Sequence, residues 1–319
     1  MIAYARFAFA TLLLLVVSVA ICAAPCPPYT LIPGSLRAGS EPDGNTVILD
    51  APEGLIVVDT GRHPEHQDKI LAFARTAKKP IVAIINTHWH LDHTGGNAVI
   101  LQAYPHAQIY ASTAIDGALK EFFPKSRKDG EQYLASGKAT PQQADDIRRD
   151  IARIDQPAAL RPTHPITDSG SLTIAGLPLD VHLAHFAATE GDVWLQDGNV
   201  VIAGDLVVAM VPFLDTACPQ GWKRALDDIA AIRFDTLIPG HGDPMTRPQF
   251  LDWRRAYDNL LDCSDSSKSR QDCIDGWMTD AARFIPHGDR DRAAGMVGYY
   301  IDSRLRAAGG EKNRYCRPL

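Results

Sequence analysis

The sequence lacks an excess of basic residues. It carries 32 Lys and Arg against 38 Asp and Glu, which gives a net charge of −6 at pH 7. A protein that binds nucleic acid through its phosphates needs a basic face, so we predict no nucleic-acid partner. The sequence also lacks internal repeats and low-complexity tracts, which argues against a solenoid. Its 319 residues are 45% hydrophobic and 22% charged, a globular composition that allows one large domain or two small ones.

The N-terminus is predicted to be a secretory signal peptide over residues 1–24. Arg6 precedes the apolar run FAFATLLLLVVSVAICAA (7–24), whose small final residues suit cleavage near Ala23 or Ala24. An uncleaved membrane anchor is the alternative, because the run approaches the length that spans a membrane. Cleavage predicts a periplasmic or secreted protein without membrane attachment.

Cysteine is scarce, with six in the whole chain. Export would place the cysteines of the mature chain in an oxidising compartment. Five cysteines remain after removal of residues 1–24, so one thiol stays free or pairs between chains. Cys263 and Cys273 are close in sequence and are the first predicted disulfide. A second pair, Cys26 with Cys316, would tie down the termini.

Alternating strand and helix patterns predict an α/β layered domain. Two β-branched runs around the turn APEG form a hairpin pattern over 45–61, and an amphipathic helix follows over 63–77. A second hairpin, over 192–207, has Asp197-Gly198 as its tight turn.

Residues 113–165 interrupt this alternation. They are charged and helical without a strand pattern, and we predict a helical insertion that acts as a lid or as a solvated cover. The predicted organisation is a fold domain over 25–262, which contains the insertion, and a helical C-terminal extension over 263–319.

The buried strand IVAIINTH (81–88) runs into a cluster of metal-ligand residue types. The cluster has the pattern H-x-H-x-D-H and consists of His88, His90, Asp92 and His93. Residues two apart on a strand share a face, so the first two histidines converge. Imidazole and carboxylate together suit zinc, and also iron or manganese. Core histidines are the structural alternative, but three His and one Asp within six residues argue against it.

This run resembles the second motif of the metallo-β-lactamase fold superfamily. Three further stretches resemble other motifs of that superfamily in chain order: LIVVDTG (55–61), VVIAGDLV (200–207) and LIPGHGDP (237–244). The resemblance implies an α/β fold of the four-layer αββα sandwich type, with the site at one edge of two sheets. TEGDVWL and AGDLV are also similar to exported metallohydrolases linked to quinoprotein systems.

The resemblance implies six metal ligands: His88, His90, Asp92, His93, Asp205 and His241. One metal would bind the first two and a further His, the second would bind Asp92, His93 and His241, and Asp205 would bridge both ions. A water between the ions would be the nucleophile. Asp92 would be the catalytic residue that orients this water or moves its proton. Asp59 would hold a ligand loop, or would be a plain turn residue.

One expected ligand is missing. The superfamily's third His stands directly before Thr in H-T-x-G-[DNS], and TEGDVW (189–194) places Ala188 at that position. Three interpretations remain open. His185 substitutes through a coiled loop, the enzyme works with one metal, or the protein is a binding module with a decayed site.

The predicted function is an exported metal-dependent hydrolase that uses a metal-activated water on an ester, thioester, lactone or lactam carbonyl of a small molecule. The predicted cofactor is Zn²⁺, one or two ions per chain, with iron or manganese as alternatives. A non-catalytic or relay metal-binding protein and a β-lactamase are the alternative functions. Asp205 argues against the β-lactamase, because the resemblance implies Cys or Ser there in lactamases. Substrate and oligomeric state remain open.

The predicted insertion carries Phe122, Phe123 and Tyr133, which would hold an acyl or anionic substrate or simply pack the lid. Trp89, between two ligands, would line the pocket or pack. VPFLDTACPQGW (211–222) is predicted to form a loop near the mouth of the site.

Overall fold

The structure is a computed structural model that describes residues 28–36 and 39–317. The predicted signal peptide and Cys26 lie outside the described residues. Among the described helices, none is both long and apolar enough to cross a membrane.

Twelve strands in the described part of the chain form two sheets of six. The first sheet consists of Tyr29–Ile32 (β1), Thr46–Ala51 (β2), Gly54–Val58 (β3), Ile81–Ile85 (β4), Gln108–Ser112 (β5) and His164–Ile166 (β6), in that order. The second sheet consists of Gly170–Ile174 (β7), Leu177–His185 (β8), Gly191–Asp197 (β9), Val200–Val208 (β10), Thr236–His241 (β11) and Met245–Thr246 (β12), also in chain order.

Helices cover both sheets and fill the long connection between β5 and β6. They are Pro64–Ala77 (α1), Leu91–Thr94 (α2), Asn97–Ala103 (α3), Ile115–Lys120 (α4), Phe122–Ala135 (α5), Pro141–Ile154 (α6), Pro157–Leu160 (α7), Pro219–Ala231 (α8), Arg247–Asp265 (α9), Arg270–Asp280 (α10) and Arg290–Tyr300 (α11). Helices α4 to α7 lie within the segment predicted as the insertion, and α10 and α11 follow the predicted fold domain.

The two-residue period of the strands produces the layers. Val47 and Leu49 face the second sheet and pack with Val193 and Ile202 in the core between the sheets. Ile48, on the other face of β2, packs with residues of α1 and α3. The outer face of the second sheet packs on α8 to α11. The predicted αββα sandwich with a helical C-terminal region is therefore confirmed.

Two details differ from the sequence prediction. Residues 164–166 lie in the segment predicted to lack strands, yet they form β6, which pairs in parallel with β5 from Tyr110 to Ser112. Three residues are too few to show a strand period, and the neighbouring strand supplies their hydrogen bonds. The second hairpin turns on Gly198 and Asn199, because Asp197 already pairs with Val200.

One of the two predicted disulfides is confirmed, and the other is wrong. Cys263 pairs with Cys273 and links α9 to α10, which confirms that prediction. The prediction that Cys316 pairs with Cys26 is wrong, because Cys316 pairs with Cys218 at the start of α8. The C-terminal segment folds back through Gly309 and Gly310, which both adopt positive φ. This turn brings the end of the chain onto α8.

The Cys218–Cys316 disulfide is expected to stabilise the fold more than the Cys263–Cys273 disulfide. It closes a loop of 98 residues rather than 10, which corresponds to about 5 against about 3 kcal/mol in the chain-entropy model. Denaturant unfolding of the double variants Cys218→Ser/Cys316→Ser and Cys263→Ser/Cys273→Ser measures both effects. A larger loss of unfolding free energy in the second variant would contradict this expectation.

Candidate metal centre

The predicted ligand residues lie at one edge of both sheets. They are His88, His90, Asp92, His93, Asp205 and His241. The first four follow β4, and two of these lie in α2; the fifth lies in β10, and the sixth ends β11. The fold gathers them into two groups of three, each with its donor atoms within 4.8 Å of one another.

The first group consists of His88, His90 and Asp205. His88 Nε2 lies 3.0 Å from His90 Nδ1 and 3.8 Å from Asp205 Oδ2. His88 and Asp205 are buried, and His90 is partly exposed. Three protein donors with one open position are the usual ligand set of a catalytic zinc site.

The second group consists of Asp92, His93 and His241, all buried. His241 Nε2 lies 3.1 Å from Asp92 Oδ2 and 3.3 Å from His93 Nε2. Asp205 Oδ1 lies 3.2 Å from His93 Nε2 and 3.4 Å from His241 Nε2. The two carboxylate oxygens of Asp205 therefore face different groups, which is the arrangement of a bridging ligand.

Asp59 orients a histidine of each group. Its carboxylate accepts hydrogen bonds from Thr87 N (2.8 Å) and Thr87 Oγ1 (2.7 Å), and it lies 2.8 Å from His93 Nδ1. Thr87 Oγ1 has a single hydrogen and donates it to Asp59, so it accepts from His88 Nδ1 at 3.1 Å. Asp59 adopts φ 60, a costly conformation for a residue other than glycine. It is therefore more than a turn residue.

These hydrogen bonds leave bare nitrogens that point at one another. His88 uses Nδ1 as donor, so its Nε2 carries only a lone pair. The lone pair of His88 faces His90 Nδ1, and both oxygens of Asp205 are buried without a hydrogen-bond partner. Buried, unpaired acceptors at these distances repel one another unless a cation lies between them. The residues present therefore fit bound metal ions.

The electrostatics of the cluster also favour bound positive charge. Burial lowers the pKa of His93, but Asp205, Asp92 and Asp59 outweigh burial and raise this pKa well above its ordinary value. Burial, together with the neighbouring imidazoles, lowers the pKa of His88 well below its ordinary value. The carboxylates thus attract a cation, while His88 stays in the neutral form that binds metal.

Thr216 contacts Ala188, the residue at the position of the missing ligand. Its hydroxyl donates to the carbonyl oxygen of Ala188 (3.1 Å) and lies 3.0 Å from His90 Nε2. Since that single hydrogen is used, Thr216 accepts from His90 Nε2, and His90 Nδ1 keeps its lone pair for the first group. Sequence reasoning missed Thr216, because a lone Thr in a predicted loop carries no signal.

His185 does not replace the missing ligand. It is exposed at the end of β8 and belongs to neither group of donors found among the described residues. The following loop is held by Asp192, whose carboxylate accepts from the N–H (2.8 Å) and the hydroxyl (3.0 Å) of Thr189. Burial raises the pKa of Asp192 to about 7 despite these bonds. The two hydrogen bonds to Asp192 hold the loop in a conformation in which Ala188 is buried and His185 is exposed.

A cavity of about 510 Å³ opens beside the two groups. His90 and Asp92 line it at the metal centre, and side chains of α5 and α6 line it elsewhere. Trp89 also lines it and packs on Phe122 at 4.8 Å between ring centroids, so this Trp both packs and borders the cavity. The loop after β10 contributes Phe213, as its predicted place near the site implies.

Curated relatives include hydrolases of several classes. A linear primary-alkylsulfatase from a Pseudomonas species is 30% identical over 221 residues, which cover 62% of this chain and 41% of that protein. A hydroxyacylglutathione hydrolase from Gloeobacter violaceus is 59% identical over 32 residues, which cover 10% of this chain and 13% of that protein. The chain thus spans less than half the length of these relatives.

Solved structures share the fold at low sequence identity. A metallo-beta-lactamase family protein from Thermus thermophilus superposes with a TM-score of 0.58 and 17% identity, over 87% of this chain and 93% of that chain. A stereoselective inverting sec-alkylsulfatase from Pseudomonas sp. gives a TM-score of 0.58 and 18% identity, over 93% of this chain and 52% of that chain.

A match to a family model shows the family of this chain. The four motifs quoted above and the αββα sandwich both pointed to a superfamily of metal-dependent hydrolases. The family model of the metallo-beta-lactamase superfamily matches residues 40–241, which is more than half of the chain. The chain therefore belongs to the metallo-beta-lactamase superfamily.

Proposed function

We propose that this protein is an exported hydrolase that uses two metal ions to cleave an ester, thioester, lactone or lactam carbonyl. The observation that carries this proposal is the pair of donor groups that share Asp205. His88 and His90 would hold one ion with Asp205 Oδ2, and Asp92, His93 and His241 would hold the other with Asp205 Oδ1. Imidazole and carboxylate donors suit zinc.

The chemistry that zinc held by these residues would supply is the acidification of a water molecule and polarisation of the scissile bond. The chain supplies the proton transfer through Asp92. This residue lines the cavity, and its Oδ2 faces His241 while its Oδ1 lies 3.9 Å from Arg62. Asp92 therefore connects the ligand cluster to the substrate space and can pass a proton to a leaving group there.

A carbonyl substrate is supported by the thioester hydrolases among the relatives, which include an atrochrysone carboxyl ACP thioesterase from Aspergillus terreus. Cleavage of a sulfate ester is the second candidate, favoured by the 30% identity with the alkylsulfatase. Asp205 and the missing ligand at Ala188 weigh against a β-lactamase.

Export is supported by the two disulfides, Cys218–Cys316 and Cys263–Cys273. Disulfides persist in oxidising compartments and are rare in the bacterial or eukaryotic cytosol. Together with the apolar N-terminal run, they favour a periplasmic or secreted protein.

The zinc-loaded protein is expected to contain two zinc ions per chain by elemental analysis. His88→Ala removes a donor of the first group and is expected to retain one ion, since the second group keeps all its donors. His241→Ala is expected to lose the other ion. His185→Ala is the matched control and is expected to retain both. One ion in the native protein, unchanged by His88→Ala, would show that the first group binds no metal.

Asp92→Ala is expected to lower kcat/KM by at least about 100-fold, because it removes both a metal ligand and the proton-transfer group. The assay compares p-nitrophenyl acetate, a short thioester, p-nitrophenyl sulfate and a chromogenic cephalosporin. Asp145→Ala, an exposed carboxylate on α6, is the control.

The panel separates the candidate functions. Turnover of the sulfate alone would favour the second candidate, and preference for the cephalosporin would favour a β-lactamase. If the metal-loaded protein turned over none of these substrates, the proposed activity would be wrong.

Thr216→Val is expected to weaken zinc binding at the first group about 10- to 100-fold, because His90 loses the acceptor that fixes its ring and tautomer. Thr216→Ser keeps the hydroxyl and is expected to bind zinc nearly as the native protein does. Competition with a chromophoric chelator measures the affinity, and thermal unfolding of the metal-free proteins controls for stability. Equal affinities of the Val and Ser variants would exclude this role.

A further inference from the structure

We infer that the cavity between the metal centre and helices α5 and α6 binds an uncharged, unbranched apolar chain of the substrate. This inference rests on the proposed function, because it places the cleaved group at His90 and Asp92. Nothing in the four sequence motifs assigns a ligand to this space, which the insertion lines in part. The cavity volume of about 510 Å³ lies within the usual range for small-molecule sites.

Much of the lining is apolar. It includes Trp89, Phe122, Ile147, Ile151, Ile154 and Phe213. Tyr133 also lines the cavity and is 39% exposed, so the insertion leaves apolar surface that its own packing does not cover. Burial of such surface by a ligand chain is favourable in proportion to the area covered.

The charged groups around the cavity argue against an anionic chain. Arg62 is paired with Asp150 at 2.7 Å and Glu41 at 3.2 Å, and Arg127 pairs with Glu131 and Asp155. Both cations among the described lining residues are therefore neutralised. The four carboxylates of the lining besides Asp92 are paired as well: Glu41 and Asp150 with Arg62, Asp129 with Lys125, and Asp215 with Arg304. The described lining therefore offers an anionic chain no unpaired cation, whereas an uncharged chain needs none.

The cavity is preformed rather than created by a loose lid. Arg153 of α6 donates from Nε to the carbonyl oxygen of Gly95 (3.0 Å) and from its guanidinium to the carbonyl oxygen of Arg62. Gly95 directly follows α2, which carries two of the ligand residues. The wall of the cavity is thus bonded to the metal-binding loop, and the position of a bound chain is fixed relative to the ligands. A preformed site avoids the entropy cost of ordering a lid.

A chain-length series tests the inference. For metal-loaded protein and p-nitrophenyl esters from acetate to decanoate, kcat/KM is expected to rise about fourfold per methylene until the cavity is filled. Ile151→Trp and Ile147→Trp fill the cavity and are expected to flatten this dependence. Ala152→Trp introduces the same side chain at an exposed position of α6 outside the lining and is the matched control. Circular dichroism checks that each variant folds.

Calorimetry of 1-octanol and 1-butanol binding to the metal-loaded protein tests the cavity as a site for the apolar chain (the chain site) independently of the catalytic proposal. We expect 1-octanol to bind at least tenfold more tightly than 1-butanol, and Ile151→Trp to abolish the difference. Octanol binding without hydrolysis of any ester would support the chain site while the proposed function fails. Ester hydrolysis without a chain-length preference, combined with equal binding of the two alcohols, would overturn the chain site alone.

Discussion

The buried carboxylate of Asp205 has no hydrogen-bond partner of its own, and the ligand cluster is arranged around its charge. One oxygen faces His88 and the other faces His93 and His241. A buried carboxylate without hydrogen bonds is costly, because burial removes its hydration. This cost makes a bound cation the natural counter-charge and explains why donors from two sheets converge on one point.

Contacts between the two sheets fix the position of the two donor groups relative to each other. Asn45 precedes β2 of the first sheet, yet its side-chain amide donates to the carbonyl oxygens of Pro239 and Gly242 on either side of His241 in the second sheet. The N–H of Gly44 donates to the carbonyl oxygen of Asp92. Asp59 then fixes the imidazole of His93 directly and that of His88 through Thr87. A displacement of one sheet against the other would therefore move the two donor groups apart.

The helical insertion lines part of the cavity beside this centre. Its charged helices were predictable from sequence, and so was their departure from the strand–helix alternation. Their packing was not predictable, because the bond from Arg153 to Gly95 and the pair of Arg62 with Asp150 join residues far apart in the chain. Such pairs depend on where the folded helices lie, and a sequence with many Arg and Asp residues offers many equivalent partners.

The sequence by itself determined the types and order of the candidate ligand residues and the family, because H-x-H-x-D-H and the stretches around Asp205 and His241 are patterns of neighbouring residues that can be recognised without the fold. It also showed that Ala188 cannot bind metal. Only the tertiary structure decided which residue contacts both Ala188 and His90. Thr216 reaches His90 because the loop after β10 folds back over Ala188, and Cys316 reaches Cys218 because the end of the chain turns back onto α8. Both contacts join residues about 100 or more positions apart, so their formation depends on packing that no local pattern encodes.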